Sequence, residues 1–398
     1  MASSCLGAYK VAVGHLGHQP IHNSQSQVLL GLSPGPVGLQ GSRGVGTFPS
    51  LKSMSTRTYG PHRMRGGRSR TWYIQAAVVE KQESPVKFQT GTWTWSFKNM
   101  PLKICFEEYK GNGSGPFKDI IMLPTISDVS TTEEWQAVAK ELLTRELASN
   151  WRVVIVDWPG FGCSDSPSIE YNAEMMEKFL VDFLCAADGP FKSSAGERVI
   201  VGGGHAATLA LCGARKGLVE ASAIIAVAPT WAGPLPIVFG RDSSMETRYG
   251  LLRTTLRAPA LGWMMYNVLV SNQKSIESQY KSHVYADSNN VTPSLVESRY
   301  ALTKREGARY APAAFLTGLL DPVQSREEFL ALFAELENKI PIFVISTKDA
   351  PKRSKAEMEA LQGAKGVTRF VEVPGALLPQ EEYPYTVTDE LHEFLKEL

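Results

Sequence analysis

Acidic residues are absent from the start of this sequence, since no aspartate or glutamate occurs before Glu80. The same 79 residues hold 8 of the 41 lysine and arginine residues, so their formal charge is +8, and the remaining 33 basic and 40 acidic side chains give the rest −7. At about one acid in ten residues, such a run arises by chance on the order of once in several thousand sequences. The net charge of +1 is therefore the sum of two segments of opposite sign.

The basic, acid-free segment is typical of an organelle import signal, and it lacks the apolar run of a secretory signal. Its opening Met-Ala-Ser-Ser and the step from Ile74 to Ala77 resemble plastid import and cleavage signals. We therefore predict a disordered plastid transit peptide over residues 1–76, cleaved near Ala76, and a chloroplast location in the stroma or peripheral to the thylakoid or envelope. The alternative location is the mitochondrion. The alternative role of this segment is that of a basic tail that binds nucleic acid or membrane.

Further absences exclude other classes of protein. No uninterrupted apolar stretch of about 18 residues exists, so the sequence predicts no membrane-spanning helix. The five cysteines form no Cys-x-x-Cys pair, which disfavours a zinc site or a disulfide framework, and we predict neither a metal nor a cofactor. A charge of −7 after the predicted cleavage also disfavours nucleic-acid binding.

Short β-branched runs alternate with longer helical patterns in the remaining chain, which predicts a mainly parallel sheet with crossover helices. The predicted strands cover residues 88–97, 102–109, 119–123, 152–157, 198–202, 223–227, 340–347 and 368–373. The predicted helices between and after them cover residues 131–148, 172–185, 205–216 and 385–398, the first with Thr131 or Thr132 as its N-terminal cap. About 100 residues after the sixth strand carry helical patterns alone, which predicts a helical insertion.

One loop has a specific pattern: residues from Asp157 to Asp165 read Asp-Trp-Pro-Gly-Phe-Gly-Cys-Ser-Asp. It resembles the D-x-x-G-x-G-x-S-D loop of the α/β-hydrolase superfamily, especially its plastid and cyanobacterial members with a helical cap. The resemblance covers residues 88–398 and implies an α/β-hydrolase fold, with a mostly parallel eight-stranded sheet, helices on both faces and a helical cap inserted after strand 6. It divides the chain into a core, 77–230 and 337–398, and a cap, 231–336.

The resemblance also implies where catalytic groups would stand, and two of these positions are vacant. Active members carry a G-x-S-x-G turn after the fifth strand, whereas Gly202–Ala206 reads Gly-Gly-Gly-His-Ala and puts Gly204 at the nucleophile. The general base of the family follows the eighth strand, where this chain has Ala376. The acid position is retained as Asp349, which is equally consistent with a turn residue or a cap for the helix near Lys352.

The oxyanion loop departs from the family as well. A His-Gly motif usually follows the third strand and aims a backbone N–H at the developing charge, but residues 123–127 read Leu-Pro-Thr-Ile-Ser. Loss of a triad member alone costs about 10⁴ to 10⁶ in rate. If the residues correspond to the family's positions as described, ordinary ester hydrolysis through the nucleophile, base and acid of the family is excluded. Gly203, Thr125 and Ser127 are still expected to line a pocket.

Several side chains could substitute for the missing groups. His205 directly follows the vacant nucleophile position, where it could be a base for water or a ligand contact, although a histidine at a helix start more often packs with one nitrogen hydrogen-bonded. Ser127, Cys163 and Ser164 lie on loops at the same sheet edge, but a nucleophile needs a paired base. His283 is the other available base, and His392 falls inside the last helix and is expected at the surface.

Two apolar features have more than one interpretation. The stretch Pro259–Val270 contains few polar residues and is expected to form a lid over the pocket, with docking to a membrane surface or a place in the cap core as alternatives. Trp93 and Trp95 fall on one face of the first strand, where packing against a helix is favoured over stacking on a ligand.

These observations favour a plastid protein that kept an α/β-hydrolase fold without its chemistry. We expect it to bind an apolar small molecule such as an isoprenoid, a lipid or a pigment-derived compound, or to act as an assembly partner of another plastid protein. The alternative is a divergent serine-type ester hydrolase or acyltransferase acting on lipid or isoprenoid esters, with a relocated nucleophile and His205 or His283 as base. A scaffold without a ligand is the third interpretation, and it predicts bulky side chains above Gly204.

Overall fold

An eight-stranded sheet lies at the centre of the computed structural model, which describes residues 86–111, 117–147, 150–191 and 197–398. The predicted import segment over residues 1–76, with its cleavage site near Ala76, lies outside the described residues. Within the described residues, no helix combines the length and the apolar character that crossing a bilayer requires.

The strands follow one another in the order β1-β2-β4-β3-β5-β6-β7-β8. Strand β2 runs antiparallel to β1 and β4, and all the other neighbouring pairs are parallel. The predicted eight-stranded, mostly parallel sheet is thereby confirmed. The strands are β1 Lys87–Phe97, β2 Met100–Lys110, β3 Lys118–Leu123, β4 Trp151–Val156, β5 Arg198–Gly203, β6 Ala223–Val227, β7 Ile342–Thr347 and β8 Arg369–Val373.

Helices connect the parallel strands and fill the long segment between β6 and β7. Helices α4 to α10 belong to that segment, together with a π-helical turn at Tyr280–Val284 and a 3₁₀ turn at Ser288–Asn290. The helices are α1 Glu133–Leu142, α2 Ala173–Cys185, α3 His205–Arg215, α4 Pro236–Phe239, α5 Ser243–Arg257, α6 Pro259–Leu269, α7 Gln273–Gln279, α8 Pro293–Thr303, α9 Tyr310–Leu316, α10 Arg326–Glu335, α11 Lys352–Glu359, α12 Pro379–Glu382 and α13 Pro384–Leu395.

Apolar cores cover both faces of the sheet because successive residues of a strand point to opposite sides. In β3, Ile121 and Leu123 join a core built with α2 and α3, whereas Ile120 and Met122 join a core built with α1 and α13. All four side chains are fully buried. Strands this apolar on both faces fit only the middle of a sheet covered by helices on two sides.

The helix predicted over residues 131–148 is shorter in the structure, where α1 ends at Leu142. The hydroxyl of Thr144 donates to the carbonyl of Glu141, and such local side-chain bonds compete with a continuing helix. The predicted cap is confirmed in position, and the hydroxyl of Thr131 accepts a weak bond from the N–H of Glu133 at 3.5 Å. Thr132 occupies the N-cap position, but its hydroxyl donates to the carboxylate of Glu107 on β2 and makes no bond to the helix.

The two tryptophans of β1 pack against α2, as the sequence predicts. Trp95 contacts Phe179 with ring centres 5.2 Å apart, and Trp93 contacts Phe183 at 5.6 Å. Each indole N–H reaches a carboxylate, that of Trp95 on Asp182 at 2.7 Å and that of Trp93 on Asp188 at 3.0 Å. These contacts attach the edge hairpin to α2 and leave neither ring free for a ligand.

Candidate functional site

A cavity of about 280 Å³ lies beyond the carboxyl ends of β3, β5 and β6, and we call it the Gly204 cavity. In open α/β sheets this edge is where ligands bind. Its polar lining comes from Thr125, His205 and Thr230 near the strand ends and from Lys352, Arg353 and Ser354 on α11. Most of its other lining is apolar and includes Ile126, Ala232, Ile237, Val238, Phe315 and Leu377. The cavity is thus a small, mainly apolar space with polar groups from the strand-end loops and from α11.

The turn from β5 into α3 is tight, as the glycine pattern predicts. A Cβ on Gly202 would lie 2.6 Å from the backbone nitrogen of Ala207, so strand and helix approach too closely for a side chain there. Gly204 has φ +53° and ψ −124°, which residues with a side chain rarely adopt. A Cβ on Gly204 would lie 2.8 Å from Cγ2 of Thr125 and 3.3 Å from Oγ1 of Thr230. The turn therefore displays no reactive group, and its neighbours occupy the space that a side chain would need.

His205 is buried in the cavity wall and both of its ring nitrogens have partners. Nε2 lies 3.1 Å from a carboxylate oxygen of Asp321, and Nδ1 lies 2.7 Å from the hydroxyl of Thr230. Because a carboxylate only accepts hydrogen bonds, Nε2 donates to Asp321, and a ring that carries its proton on Nε2 alone accepts the Thr230 hydroxyl proton at Nδ1. The edge of the ring packs on Phe315, with centres 5.1 Å apart. The order hydroxyl, imidazole, carboxylate is that of a nucleophile, a base and an orienting acid.

Asp321 is itself held from the other side. Its carboxylate accepts the backbone N–H of Gly233 at 2.9 Å and pairs with the guanidinium of Arg241. Sequence reasoning missed Thr230 and Asp321, which are 25 and 116 residues away from His205 along the chain. The only signal for Asp321 was its place in a Leu-Asp-Pro step after a helix, and such steps are common turns.

Buried polar side chains form hydrogen bonds with the loop after β3. The backbone N–H of Thr125 donates to the carboxylate of Glu134 at 2.8 Å, and the side-chain amide of Gln380 donates to the same carboxylate at 3.3 Å. Burial, together with the nearby charge of Glu381, raises the pKa of Glu134 to about 8. Pro124 has no N–H, so neither Pro124 nor Thr125 offers a free backbone donor.

Gly203 lies beside this loop and contributes no side chain to it. A Cβ on Gly203 would lie 2.3 Å from Oγ1 of Thr125 and 3.1 Å from the amide nitrogen of Gln380. Thr125 is therefore the one pocket candidate of this loop that lines the Gly204 cavity, whereas Ser127 is buried behind it and accepts a weak bond from the N–H of Val129.

The two remaining family positions do not contribute a reactive group. Ala376 is buried, and its carbonyl accepts the hydroxyl of Thr347 at 2.7 Å. Asp349 is exposed and does not line the Gly204 cavity. The expected role of Asp349 as a helix cap is wrong, because the N-cap position of α11 belongs to Pro351. Asp349 lies in the turn directly after β7, which agrees with the turn interpretation.

The substitute nucleophiles proposed from sequence are not in the cavity. Ser164 is fully buried, donates to the carbonyl of Asp157 at 2.9 Å and accepts the N–H of Cys105 at 3.0 Å, so its hydroxyl has a structural role. Cys163 is exposed on the same loop, away from the Gly204 cavity. A hydrogen bond from the Cys105 thiol and the charge of Arg305 lower the pKa of the Cys163 thiol to about 6.

The other histidines also lie elsewhere. His283 is in the π-helical turn, does not line the Gly204 cavity, and has its pKa lowered by burial. His392 is on α13, where its ring contacts the carbonyl of Glu146 at 2.9 Å. The predicted lid is not in place either, because no residue of Pro259–Val270 lines the Gly204 cavity. The inserted residues that cover it belong instead to the segments around α4 and α9.

Comparison with known families and structures agrees with this architecture. The sequence model of a family described as the Alpha/beta hydrolase family matches residues 121–389. No curated protein sequence matches the chain. A thermophilic esterase from Thermogutta terrifontis is 18% identical, with 78% of this chain and 98% of the esterase covered and a TM-score of 0.53. A haloalkane dehalogenase from Agrobacterium tumefaciens is 16% identical, with 77% and 97% covered and a TM-score of 0.51. At such identities the likeness concerns the fold.

Proposed function

The chain belongs to the α/β hydrolase family, and we propose that it is a non-catalytic member which binds an apolar small molecule in the Gly204 cavity. The observation that carries the proposal is the combination of an unreactive turn with an adjoining apolar space. Gly204 has no functional group, Ala376 has none, and Asp349 is exposed, yet the Gly204 cavity remains open beside them. Its 280 Å³ is near the lower end of the roughly 300–1,000 Å³ that is usual for small-molecule sites.

The cavity's lining narrows the class of ligand. Ile237, Val238 and Phe315 would contact an apolar body such as an isoprenoid, a lipid or a pigment-derived fragment. The exposed Lys352 and the half-buried Ser354 also line the cavity, so a polar or anionic end of the ligand would meet a cation and a hydroxyl there. A scaffold without a ligand is less well supported, because Thr125 fills only the space directly above Gly204 and not the rest of the cavity.

Ligand binding is tested by filling the cavity. Native mass spectrometry of the protein purified from its source should report a non-covalent small molecule. Val238→Trp should lose that ligand, because the indole would occupy the cavity that Val238 lines. Phe239→Trp is the matched control, since the neighbouring Phe239 is exposed and lies outside the cavity. Ligand-free protein from every preparation, or equal retention by both variants, would contradict the proposal.

A second candidate, ester hydrolysis or acyl transfer, is favoured by the arrangement of Thr230, His205 and Asp321. In that reaction Thr230 Oγ1 would attack the ester carbonyl carbon while its proton moves to His205 Nδ1. His205 would then pass the proton to the departing alcohol, and water would hydrolyse the acyl-threonine. The backbone N–H of Thr125, already bound to Glu134, is unavailable for the oxyanion, and this makes hydrolysis the weaker candidate.

The two candidates differ in turnover. A non-catalytic protein should leave p-nitrophenyl esters intact and should not react with a fluorophosphonate probe. Clear turnover that disappears in both Thr230→Val and His205→Ala, and persists in the exposed control Thr247→Val, would establish hydrolysis and contradict the first proposal.

We also propose a plastid location, with an assembly partner there as a further role. The acid-free, basic composition of residues 1–76 supports import. A fluorescent fusion that carries residues 1–76 should accumulate in chloroplasts, and accumulation in mitochondria would contradict the proposed plastid location.

A further inference from the structure

Helix α6 exposes more large apolar side chains than any other element among the described residues. Leu261, Trp263, Met264 and Val268 are 48%, 60%, 52% and 64% exposed, and Leu251 on the preceding helix α5 is 57% exposed. We call these five residues the α5–α6 patch. Single exposed apolar residues are ordinary, but a concentration on one helix marks an interaction surface.

The patch exists because α6 is apolar on both of its faces. Tyr266 is buried, and Met265 and Leu269 pack on a core that contains Leu252 and Leu256 of α5. Leu261, Met264 and Val268 follow one another at spacings of three and four residues, which places them together on another face of the helix. A helix whose outer face meets only water normally carries polar residues there. Helix α6 therefore has an inner face that is covered and an outer face that is not.

Basic side chains outnumber acidic ones around the patch. No acidic residue occurs between Glu246 and Glu277, and the 30 residues between them carry Arg248, Arg253, Arg257 and Lys274. Arg248 and Lys274 are exposed, and Lys304 adds a further cation where its ammonium contacts Asn267 at 3.0 Å. Carboxylates line the groove beside Trp263, but basic side chains accompany them there: Asp165 and Glu306 with Lys304, Arg305 and Arg309. The surroundings of the patch are thus basic in a chain that is net acidic from Glu80 onward.

We propose that the α5–α6 patch docks onto an anionic lipid surface. Apolar side chains such as Trp263 and Leu261 would enter the boundary between headgroups and acyl chains, while Arg248 and Lys274 would meet lipid phosphates. Helices that lie on membranes combine these two features. The inference concerns a face made by α5 and α6 and does not depend on what the Gly204 cavity binds.

Two other occupants fit the charges less well. A second copy of the chain would pair the patch with itself about a two-fold axis and bring two clusters of cations together. The predicted import segment, residues 1–76, is also basic, so its charge does not complement the patch. An anionic surface is the occupant that satisfies both the apolar and the cationic part.

Vesicle sedimentation with the full chain tests the proposal. Phosphatidylcholine vesicles that contain phosphatidylglycerol should bind the protein, and Trp263→Ser with Val268→Ser should weaken binding at least tenfold, since each buried apolar side chain contributes about that factor. Leu218→Ser with Tyr385→Ser is the matched control, because both residues are exposed elsewhere, at 48% and 67%. The control pair should bind as the unchanged protein does. The basic segment is present in every sample, so the difference between the two pairs reports the patch.

A charge variant separates the two parts of the surface. Arg248→Ser with Lys274→Ser should weaken binding to the anionic vesicles about fivefold per residue and leave binding to pure phosphatidylcholine unchanged. Equal binding by the unchanged protein and the Trp263 and Val268 variant would overturn the proposal. A dimer in solution that this variant abolishes, without any vesicle binding, would overturn it in favour of self-association.

Discussion

Replacing Gly204 by alanine tests whether the turn after β5 can accommodate a side chain at this position. The perturbation adds one methyl group at φ +53°, where a non-glycine backbone costs about 1–3 kcal/mol. The new Cβ would also lie 2.8 Å from Cγ2 of Thr125, inside the van der Waals separation of two carbons. Overpacking of this kind costs about 1–3 kcal/mol. With partial relaxation, we expect Gly204→Ala to lower the free energy of unfolding by about 2–4 kcal/mol.

The steric cost of the contact with Thr125 can be measured separately from the backbone cost, because Thr125→Ser removes the methyl group and keeps the hydroxyl that Gln380 contacts. In the Thr125→Ser background, Gly204→Ala should therefore cost about 1 kcal/mol less than in the unchanged protein. Gly217→Ala provides the backbone control, since Gly217 has φ +68° and no atom within 4 Å of an added Cβ. It should cost about 1–2 kcal/mol.

Urea unfolding followed by circular dichroism measures the free energy of unfolding of the unchanged protein and of the four variants, provided that the slope against denaturant is unchanged. The reasoning is refuted if Gly204→Ala costs no more than Gly217→Ala. It is also refuted if Thr125→Ser brings no relief, because the steric conflict would then lie elsewhere.

Two further variants test buried carboxylates. Burial raises the pKa of Glu134 to about 8 from an ordinary 4.5, so the stability that its protonated form contributes is present below pH 4.5 and is lost as pH rises through 8. The urea midpoint of the unchanged protein should therefore fall between about pH 5 and pH 9, and Glu134→Gln should make this fall smaller. Parallel curves of urea midpoint against pH for the two proteins would contradict this. Gly162→Ala would put a Cβ 2.1 Å from the carboxyl carbon of Asp157 at φ +50°, and should cost more than about 3 kcal/mol. Gly363→Ala, at φ +72° without neighbours, should cost about 1–2 kcal/mol, and equal losses in the two variants would show that Asp157 does not restrict the loop.

The sheet was predictable because its central strands are apolar on both faces and leave few alternatives to burial. Strand β6 begins and ends where the sequence predicts, and the other strands differ by a residue or two. The start of α1 was less predictable, because a threonine before two glutamates indicates a cap in isolation. In the folded chain Thr132 finds Glu107 on another element instead.

The site was only partly predictable for the same reason. The absence of a reactive side chain at Gly204 and Ala376 could be predicted from local patterns, since each position is defined by its neighbours in sequence. The hydrogen bonds of His205 could not, because Thr230 and Asp321 come from distant parts of the chain. Nor could the outer face of α6, since an apolar helix reads the same whether it covers a pocket or faces solvent.

The carboxyl group of Glu134 bears on what it would take to place catalytic side chains at positions 204 and 376. A serine at 204 and a histidine at 376 would restore side chains, but Thr125 would still crowd the first and Glu134 would still hold the loop's N–H. Each substitution made alone would then lower stability before any activity returned. New chemistry around His205 would meet fewer such obstacles, because the hydrogen bonds of that histidine to Thr230 and Asp321 are already in place.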